Sequence, residues 1–189
     1  GNLMLNDLLQ KNNAAQPALE ELKGAAIRPN LYKEDAPKEV KYEFTKKDLM
    51  NIKSGLSFEN DSVDQLTFDY VVEFLTPQER ITLAREIYRV LRKNGKATLK
   101  SSYWAASKAY GDLDVQWPPV SEAWYSYLDK EIREKLYPDD TIYTGCDFIL
   151  SMGYGMHQSI VTKHPEAQQH SIIFYKEAAQ DLISTLIKI

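Results

Sequence analysis

The stretch Val63–Ser102, VDQLTFDYVVEFLTPQERITLAREIYRVLRKNGKATLKSS, decides the fold. Its first part, Val63–Val72, is a mostly apolar run of β-branched and aromatic residues, which is typical of a strand covered on both faces. Pro77 suits the first turn of a helix, where its missing N–H costs nothing. Residues 96–102 then alternate between polar and apolar and predict a second strand. Strand, helix and strand with short connections predict a right-handed parallel crossover.

The helix between the two strands is predicted from its amphipathic pattern. Ile81, Leu83, Ala84, Ile87, Tyr88 and Leu91 recur at helical spacing. The charged residues, Arg80 among them, are expected mostly on the opposite, solvent side. Asn94-Gly95 predicts the end of the helix, because these two residues best tolerate a left-handed cap.

Outside this unit the pattern predicts further elements in both directions along the chain. Val40–Phe44 alternates and indicates a strand, while Leu3–Gln10 fits either a short strand or the first turns of a helix. Ser121–Tyr137 predicts a single helix, because apolar residues recur in it at every fourth position.

The C-terminal quarter contains two further strand candidates, Cys146–Tyr154 and Ser171–Tyr175. We expect these two segments to pair as an antiparallel end of the sheet. Glu177–Ile187 fits either a closing amphipathic helix or an extension of the preceding strand into one.

A family resemblance rests on the turn before the first strand and on the end of the helix. The residues that carry it are Phe58, Asn60, Ser62, Val63, Asp64, Glu86, Arg89, Val90, Leu91 and Gly95. This pattern resembles the second half of class I S-adenosylmethionine-dependent methyltransferases. The downstream stretches beginning at Trp104, Trp117 and Phe174 are similar to a phage and bacterial subgroup of these enzymes.

The resemblance covers roughly Lys41 to the C-terminus and implies a fold. That fold is α/β, with a Rossmann-like open, mostly parallel sheet, an antiparallel C-terminal end and an N-terminal part that is complete or reduced. The implied cofactor is S-adenosylmethionine, and the implied substrate is a small molecule, a sugar or a peptide.

The chain departs from the family at the cofactor motif. The family carries a Gly-rich turn after its first strand, where bare backbone approaches the cofactor closely. Of the 8 glycines in this chain, only Gly1 and Gly24 precede Gly55, so the Gly-rich motif is not found. This departure predicts weak cofactor binding and leaves two functions open. One is methyl transfer, and the other is a non-catalytic methyltransferase-like binding or assembly module that has lost the cofactor site.

Candidate cofactor contacts follow from the rule that ligands of open parallel sheets bind beyond the carboxyl ends of the strands. The resemblance implies that Asp48 accepts a hydrogen bond from the adenine amine; a turn-forming or helix-capping role is the alternative. Leu49 is expected to pack on the adenine or in the core. Phe68 and Tyr70 lie at the end of the predicted strand, where the methyl group would sit.

A second group of residues is expected to form a substrate pocket: Glu73, Trp104, Tyr110, Asp112 and Trp117. The carboxylates of Glu73 and Asp112 can anchor hydrogen-bond donors of a substrate, and the aromatic rings offer flat faces to a ring or a cation. No catalytic residue is assigned from the pattern, and the three histidines have no metal-ligand spacing.

Composition restricts the class of protein. A chain of 189 residues with 43% hydrophobic and 26% charged residues fits one globular domain, 1–189. The net charge of −4 gives no indication of a dedicated nucleic-acid surface. The single cysteine, Cys146, fits a reducing cytoplasm, and no apolar run predicts a membrane span.

Overall fold

One five-stranded sheet organises residues 37–189, the part of the chain described by the computed structural model. Its strands are β1 (Lys41–Thr45), β2 (Val63–Asp69), β3 (Leu91–Ser102), β4 (Phe148–Met156) and β5 (Ala179–Lys188). The helices are α1 (Leu49–Ile52), α2 (Pro77–Val90), α3 (Glu122–Ser126), α4 (Lys130–Leu136), α5 (Gln158–Val161) and α6 (Pro165–Phe174). Three 3₁₀ turns lie at Lys46–Asp48, Val72–Phe74 and Ser107–Tyr110. The predicted element at Leu3–Gln10 lies outside the described residues.

The strand order is β1-β2-β3-β5-β4, with β1, β2 and β3 parallel to one another and β5 antiparallel to both of its neighbours. Asp69 pairs with Thr45 on one side and with Lys100 on the other. The carboxyl ends of the three parallel strands therefore meet at one edge of the sheet. The α/β class with a parallel core and an antiparallel C-terminal end is confirmed.

The crossover from β2 to β3 is the predicted one. Helix α2 begins with Pro77 in its first turn and a capping box in which Glu79 N–H donates to Thr76 Oγ1 at 3.3 Å. It ends at Val90, before the predicted Asn94-Gly95 cap. Those two residues lie instead in an irregular start of β3, where a Cβ on Gly95 would approach the Arg92 carbonyl oxygen to 2.8 Å.

Arg80 departs from the prediction for α2. It was expected on the solvent side, but only 4% of its surface is exposed. The side chain turns inward because its guanidinium donates hydrogen bonds to backbone carbonyls of the turn before α2 and of the segment 116–118.

The predicted pairing at the C-terminal end was half right. Cys146–Tyr154 corresponds to β4, but Ser171–Tyr175 is not a strand, because its residues mostly form the last turn of α6. The partner of β4 is β5, in the segment expected to be a helix or a strand running into one. Along β5, Ala179, Leu182, Ser184 and Leu186 are buried, and from Leu182 onward the buried positions alternate strictly.

The predicted helix Ser121–Tyr137 is broken into α3 and α4. Asp129 causes the break, because its Oδ1 accepts from Ile132 N–H at 3.0 Å and caps α4. Its Oδ2 accepts from Leu150 N–H at 2.9 Å, and this bond holds the connection between α3 and α4 against β4. Within residues 37–189, no helix combines the length and apolar character needed to cross a bilayer.

Candidate functional site

Polar side chains gather where β2 and β3 end. Tyr70 follows β2 with a left-handed backbone (φ 53°), and its hydroxyl donates to Asp181 Oδ1 on β5 at 3.0 Å. The Lys108 ammonium forms an ion pair with the same carboxylate and lies 5.1 Å from the centre of the Tyr70 ring. We call Tyr70, Glu73, Lys108 and Asp181 the strand-end cluster.

Glu73 is the buried carboxyl of this cluster, with 4% of its surface exposed. Its Oε2 accepts a hydrogen bond from Ser102 N–H at 2.6 Å, while its Oε1 has no hydrogen-bond partner among the described residues. Burial raises the pKa of the Glu73 carboxyl, and the Ser102 N–H opposes that rise. Glu73 Oε1 is therefore available to accept a hydrogen bond at the strand ends.

The raised pKa of Glu73 has a consequence for stability. The folded state holds this proton more tightly than the unfolded state, so stability should fall as pH rises from about 4.5 through the folded pKa. We expect Glu73→Gln to flatten that part of the profile, because the amide does not ionise. Urea unfolding measured between pH 4 and pH 8 checks this. Each unit by which the folded pKa exceeds the unfolded pKa corresponds to roughly 1.36 kcal/mol of unfolding free energy. Equal slopes in the two proteins would contradict the prediction.

The segment 111–117 lies over the strand ends. Lys46, which follows β1, pairs with Asp114 at 2.9 Å, and its ammonium lies 4.1 Å from the centre of the Phe74 ring. Gln116 N–H donates to the Glu73 carbonyl oxygen at 2.9 Å. These contacts hold the segment against the turn that carries Glu73.

A cavity of about 100 Å³ remains beneath this segment, and we call it the strand-end cavity. Its walls are Tyr70, Glu73, Phe74, Ser102, Lys108, Ala109, Asp112 and Val115. Cavities that take drug-sized ligands measure roughly 300–1,000 Å³. In this conformation the space has room for only a few atoms of a ligand.

The residues predicted to contact the cofactor differ in how well they fit it. Asp48 Oδ2 accepts from Thr45 N–H at 2.9 Å, as in the turn-forming alternative, and its second oxygen is left for an amine donor. Leu49 is half-buried and packs against the core. Phe68 is fully buried and stacks on Phe44 at 4.9 Å between ring centres, so it has no exposed surface for a cofactor.

The predicted substrate residues divide into three places. Glu73 and Asp112 line the strand-end cavity. Trp104 and Tyr110, both about half exposed, line a separate cavity of about 390 Å³ against the end of α6. Trp117 lies outside both, with 77% of its surface exposed.

Two members of the strand-end cluster, Lys108 and Asp181, were not predicted from the sequence. Lys108 lies in a turn without a motif of its own. Asp181 was missed because β5 was not predicted as a strand. The sequence holds no signal for it, because the apolar residues after Asp181 fit a helix as well as a strand; in the sheet, Asp181 pairs with Ser102 at the carboxyl end of β3.

Comparison with known proteins gives a family match and several distant structures. Residues 12–99 match a family model described as "Methyltransferase domain". No curated protein matches the chain.

Among solved structures, a SAM-dependent methyltransferase from Archaeoglobus fulgidus is 13% identical, with a TM-score of 0.49 over 74% of this chain and 64% of that one. A SAM-dependent methyltransferase from Methanosarcina mazei is 12% identical, with a TM-score of 0.40 over 72% and 64%. Phosphoethanolamine N-methyltransferase 2 from Haemonchus contortus is 14% identical, with a TM-score of 0.35 over 70% and 35%. This chain thus spans less than two thirds of each of these three proteins.

The family match contains all the motif residues between Phe58 and Gly95 that carry the sequence resemblance, but not the downstream stretches beginning at Trp104, Trp117 and Phe174. It includes β1, β2, α2 and most of β3, and it stops at Leu99, just before the strand ends. The resemblance to class I S-adenosylmethionine-dependent methyltransferases is thereby confirmed at the level of the family, since residues 12–99 match a methyltransferase domain.

Proposed function

We propose that this chain is an S-adenosylmethionine-dependent methyltransferase whose methyl acceptor binds at the strand-end cavity. The observation that carries the proposal is Glu73, a buried carboxyl at the carboxyl ends of β2 and β3, one oxygen of which has no hydrogen-bond partner within residues 37–189. Ligands of open parallel sheets bind at this edge, and the family match supports the class of reaction.

The roles proposed for the residues follow from their contacts. When bound, S-adenosylmethionine supplies a methyl group made electrophilic by the positive sulfur. The free oxygen of Asp48 would hold the adenine amine, and Leu49 would border it. Glu73 would accept a hydrogen bond, and then a proton, from the acceptor, since a raised pKa suits a general base near neutral pH.

The acceptor implied by these groups carries a hydroxyl or an amine, as small molecules, sugars and peptides do. Entry of such a group requires residues 111–115 to move away from the cavity, while Gln116 stays bound to Glu73 and Arg80. The exposed Lys46–Asp114 pair opposes this movement only weakly, because exposed pairs contribute about 0–1 kcal/mol.

A second candidate function is a non-catalytic methyltransferase-like binding or assembly module. The observation that favours it is the size of the strand-end cavity, about 100 Å³ with Phe74 and Lys108 among its walls. The lack of a Gly-rich turn in the sequence points the same way.

Titration with S-adenosylmethionine and S-adenosylhomocysteine, followed by thermal unfolding, separates the two candidates. At a hundredfold the dissociation constant, a ligand that binds only the folded state adds about 2.7 kcal/mol of stability. For a chain of this size we expect a rise in Tm of several degrees. Asp48→Asn should weaken the apparent affinity about tenfold, which corresponds to roughly 1.4 kcal/mol.

The matched control is Glu59→Gln, which removes the charge of an exposed carboxylate whose side chain has no predicted role in the site. It should leave the affinity unchanged. If neither ligand raises Tm at millimolar concentration, the methyltransferase proposal fails and the non-catalytic module is left.

A further inference from the structure

A third and larger cavity, of about 690 Å³, lies between the start of α2 and the segment 118–143. We call it the proline–tyrosine groove. Its walls include Pro77, Pro118, Trp124, Tyr127, Tyr137 and Tyr143. None of the residues assigned to cofactor or acceptor lines it. The groove is therefore a candidate site of its own.

The aromatic wall of the groove is fixed by contacts among its own rings. Tyr127 and Tyr137 stack with ring centres 3.9 Å apart and planes inclined by 13°. Trp124 Nε1–H donates to the Tyr143 hydroxyl at 2.8 Å. Because that hydroxyl acts as the acceptor, its own hydrogen remains available to a ligand. The wall thus combines flat rings with a positioned donor.

The charged groups that line the groove are mostly engaged with the protein backbone. Arg80 directs its guanidinium to backbone carbonyls, and Asp140 accepts from Tyr143 N–H at 3.0 Å. Asp139 is the third charged residue of the wall, and Arg85, which does not line the groove, donates to the Ile142 carbonyl next to it. With no concentration of one sign of charge, the groove suits an uncharged ligand.

The rim of the groove is apolar and open. Leu136 is 59% exposed and Ile142 is 46% exposed, and Pro138 between them is also exposed. Clustered exposed apolar residues mark interaction sites more often than isolated ones do. A ligand seated in the groove can therefore continue beyond the rim, as a peptide chain does.

We propose that the proline–tyrosine groove binds an uncharged, proline-rich peptide in the polyproline II conformation. Such peptides are recognised by aromatic-lined grooves, and their preformed helix loses little entropy on binding. Proline has no N–H, so the peptide offers only carbonyl acceptors, which suits the free hydroxyl hydrogen of Tyr143. Its rings would pack between the prolines and tyrosines of the walls.

The test uses fluorescein-labelled decaproline and fluorescence anisotropy on the full chain, with a glycine–serine peptide of equal length as the control ligand. We expect saturable binding of decaproline only. Leu136→Lys places a charge on the apolar rim and should weaken binding at least about tenfold, a loss of roughly 1.4 kcal/mol. Leu113→Lys is the matched control, since Leu113 is fully exposed and does not line the groove.

Four results would overturn the proposal. The first is no decaproline binding at millimolar concentration, and the second is equal weakening by the two lysine variants. The third is concentration-dependent dimerisation in sedimentation that Leu136→Lys alone abolishes, because the groove would then bind a second copy of this chain. The fourth is an apolar dye that loses its site in Leu136→Lys but is not displaced by decaproline, which would indicate a small-molecule site.

Discussion

Arg80→Met is expected to lower the free energy of unfolding by about 3 kcal/mol or more. In the native structure Nε donates to the carbonyl oxygens of Val72 and Leu75 at 3.1 and 3.0 Å. Nη1 donates to Pro118 O at 2.7 Å, and Nη2 donates to Gln116 O at 3.3 Å. Methionine fills much of the volume but donates nothing. The Val72 carbonyl keeps its bond from Leu75 N–H, whereas the other three carbonyls lose the guanidinium, and a buried carbonyl left unpaired costs about 1–3 kcal/mol.

Urea unfolding of the two proteins measures this loss, and Arg85→Met is the matched control. Arg85 lies on the same helix, is exposed and donates to a single carbonyl, that of Ile142. We expect the control to lose less than about 1 kcal/mol. A similar small loss in both variants would show that the guanidinium does not hold the segment 116–118 to the turn before α2.

The same residue shows how charge and spacing can conflict. Arg80 was expected on the solvent side because it is charged, although its spacing places it on the same face as the buried residues Leu83 and Ile87. Its burial depends on carbonyls of residues 116–118, which come to α2 only when the chain folds. No signal within the helix itself reveals them.

The crossover Val63–Ser102 was predicted correctly, because each of its elements has a strong local signal. β2 is rich in β-branched and aromatic residues, α2 has a proline and a capping box at its start, and β3 alternates in burial from Gly95 onward. The carboxyl ends of β2 and β3 follow directly, and with them the positions of Tyr70 and Glu73. The candidate site was thus partly predictable.

The last strand was not predictable in the same way. Leu182, Ile183, Leu186 and Ile187 are spaced so that they fit one face of a helix as well as the two faces of a strand. Only pairing with β3 and β4, distant in sequence, decides between the two. Asp181 was lost from the predicted site for this reason, because its position beside Tyr70 exists only in the paired sheet.

Thr185→Pro is expected to impair folding at least as severely as Arg80→Met. Thr185 lies in the middle of β5 and pairs with Thr98 on β3 and with Ser151 on β4. A proline at this position removes a ladder hydrogen bond and is sterically excluded from a central strand. We expect a loss of about 3 kcal/mol or more, which is a large part of the roughly 5–15 kcal/mol that stabilises a typical domain.

The matched control for this substitution is Gln158→Pro, at the first position of α5. The preceding His157 is already extended, with φ −58° and ψ 139°, as a residue before proline must be. The control should change stability by less than about 1 kcal/mol, since Gln158 is exposed and stands where proline is tolerated in a helix. Circular dichroism and urea unfolding compare the two variants. If Thr185→Pro were as stable as the control, residues 179–188 would not form a central strand, and the position of Asp181 in the strand-end cluster would be wrong as well.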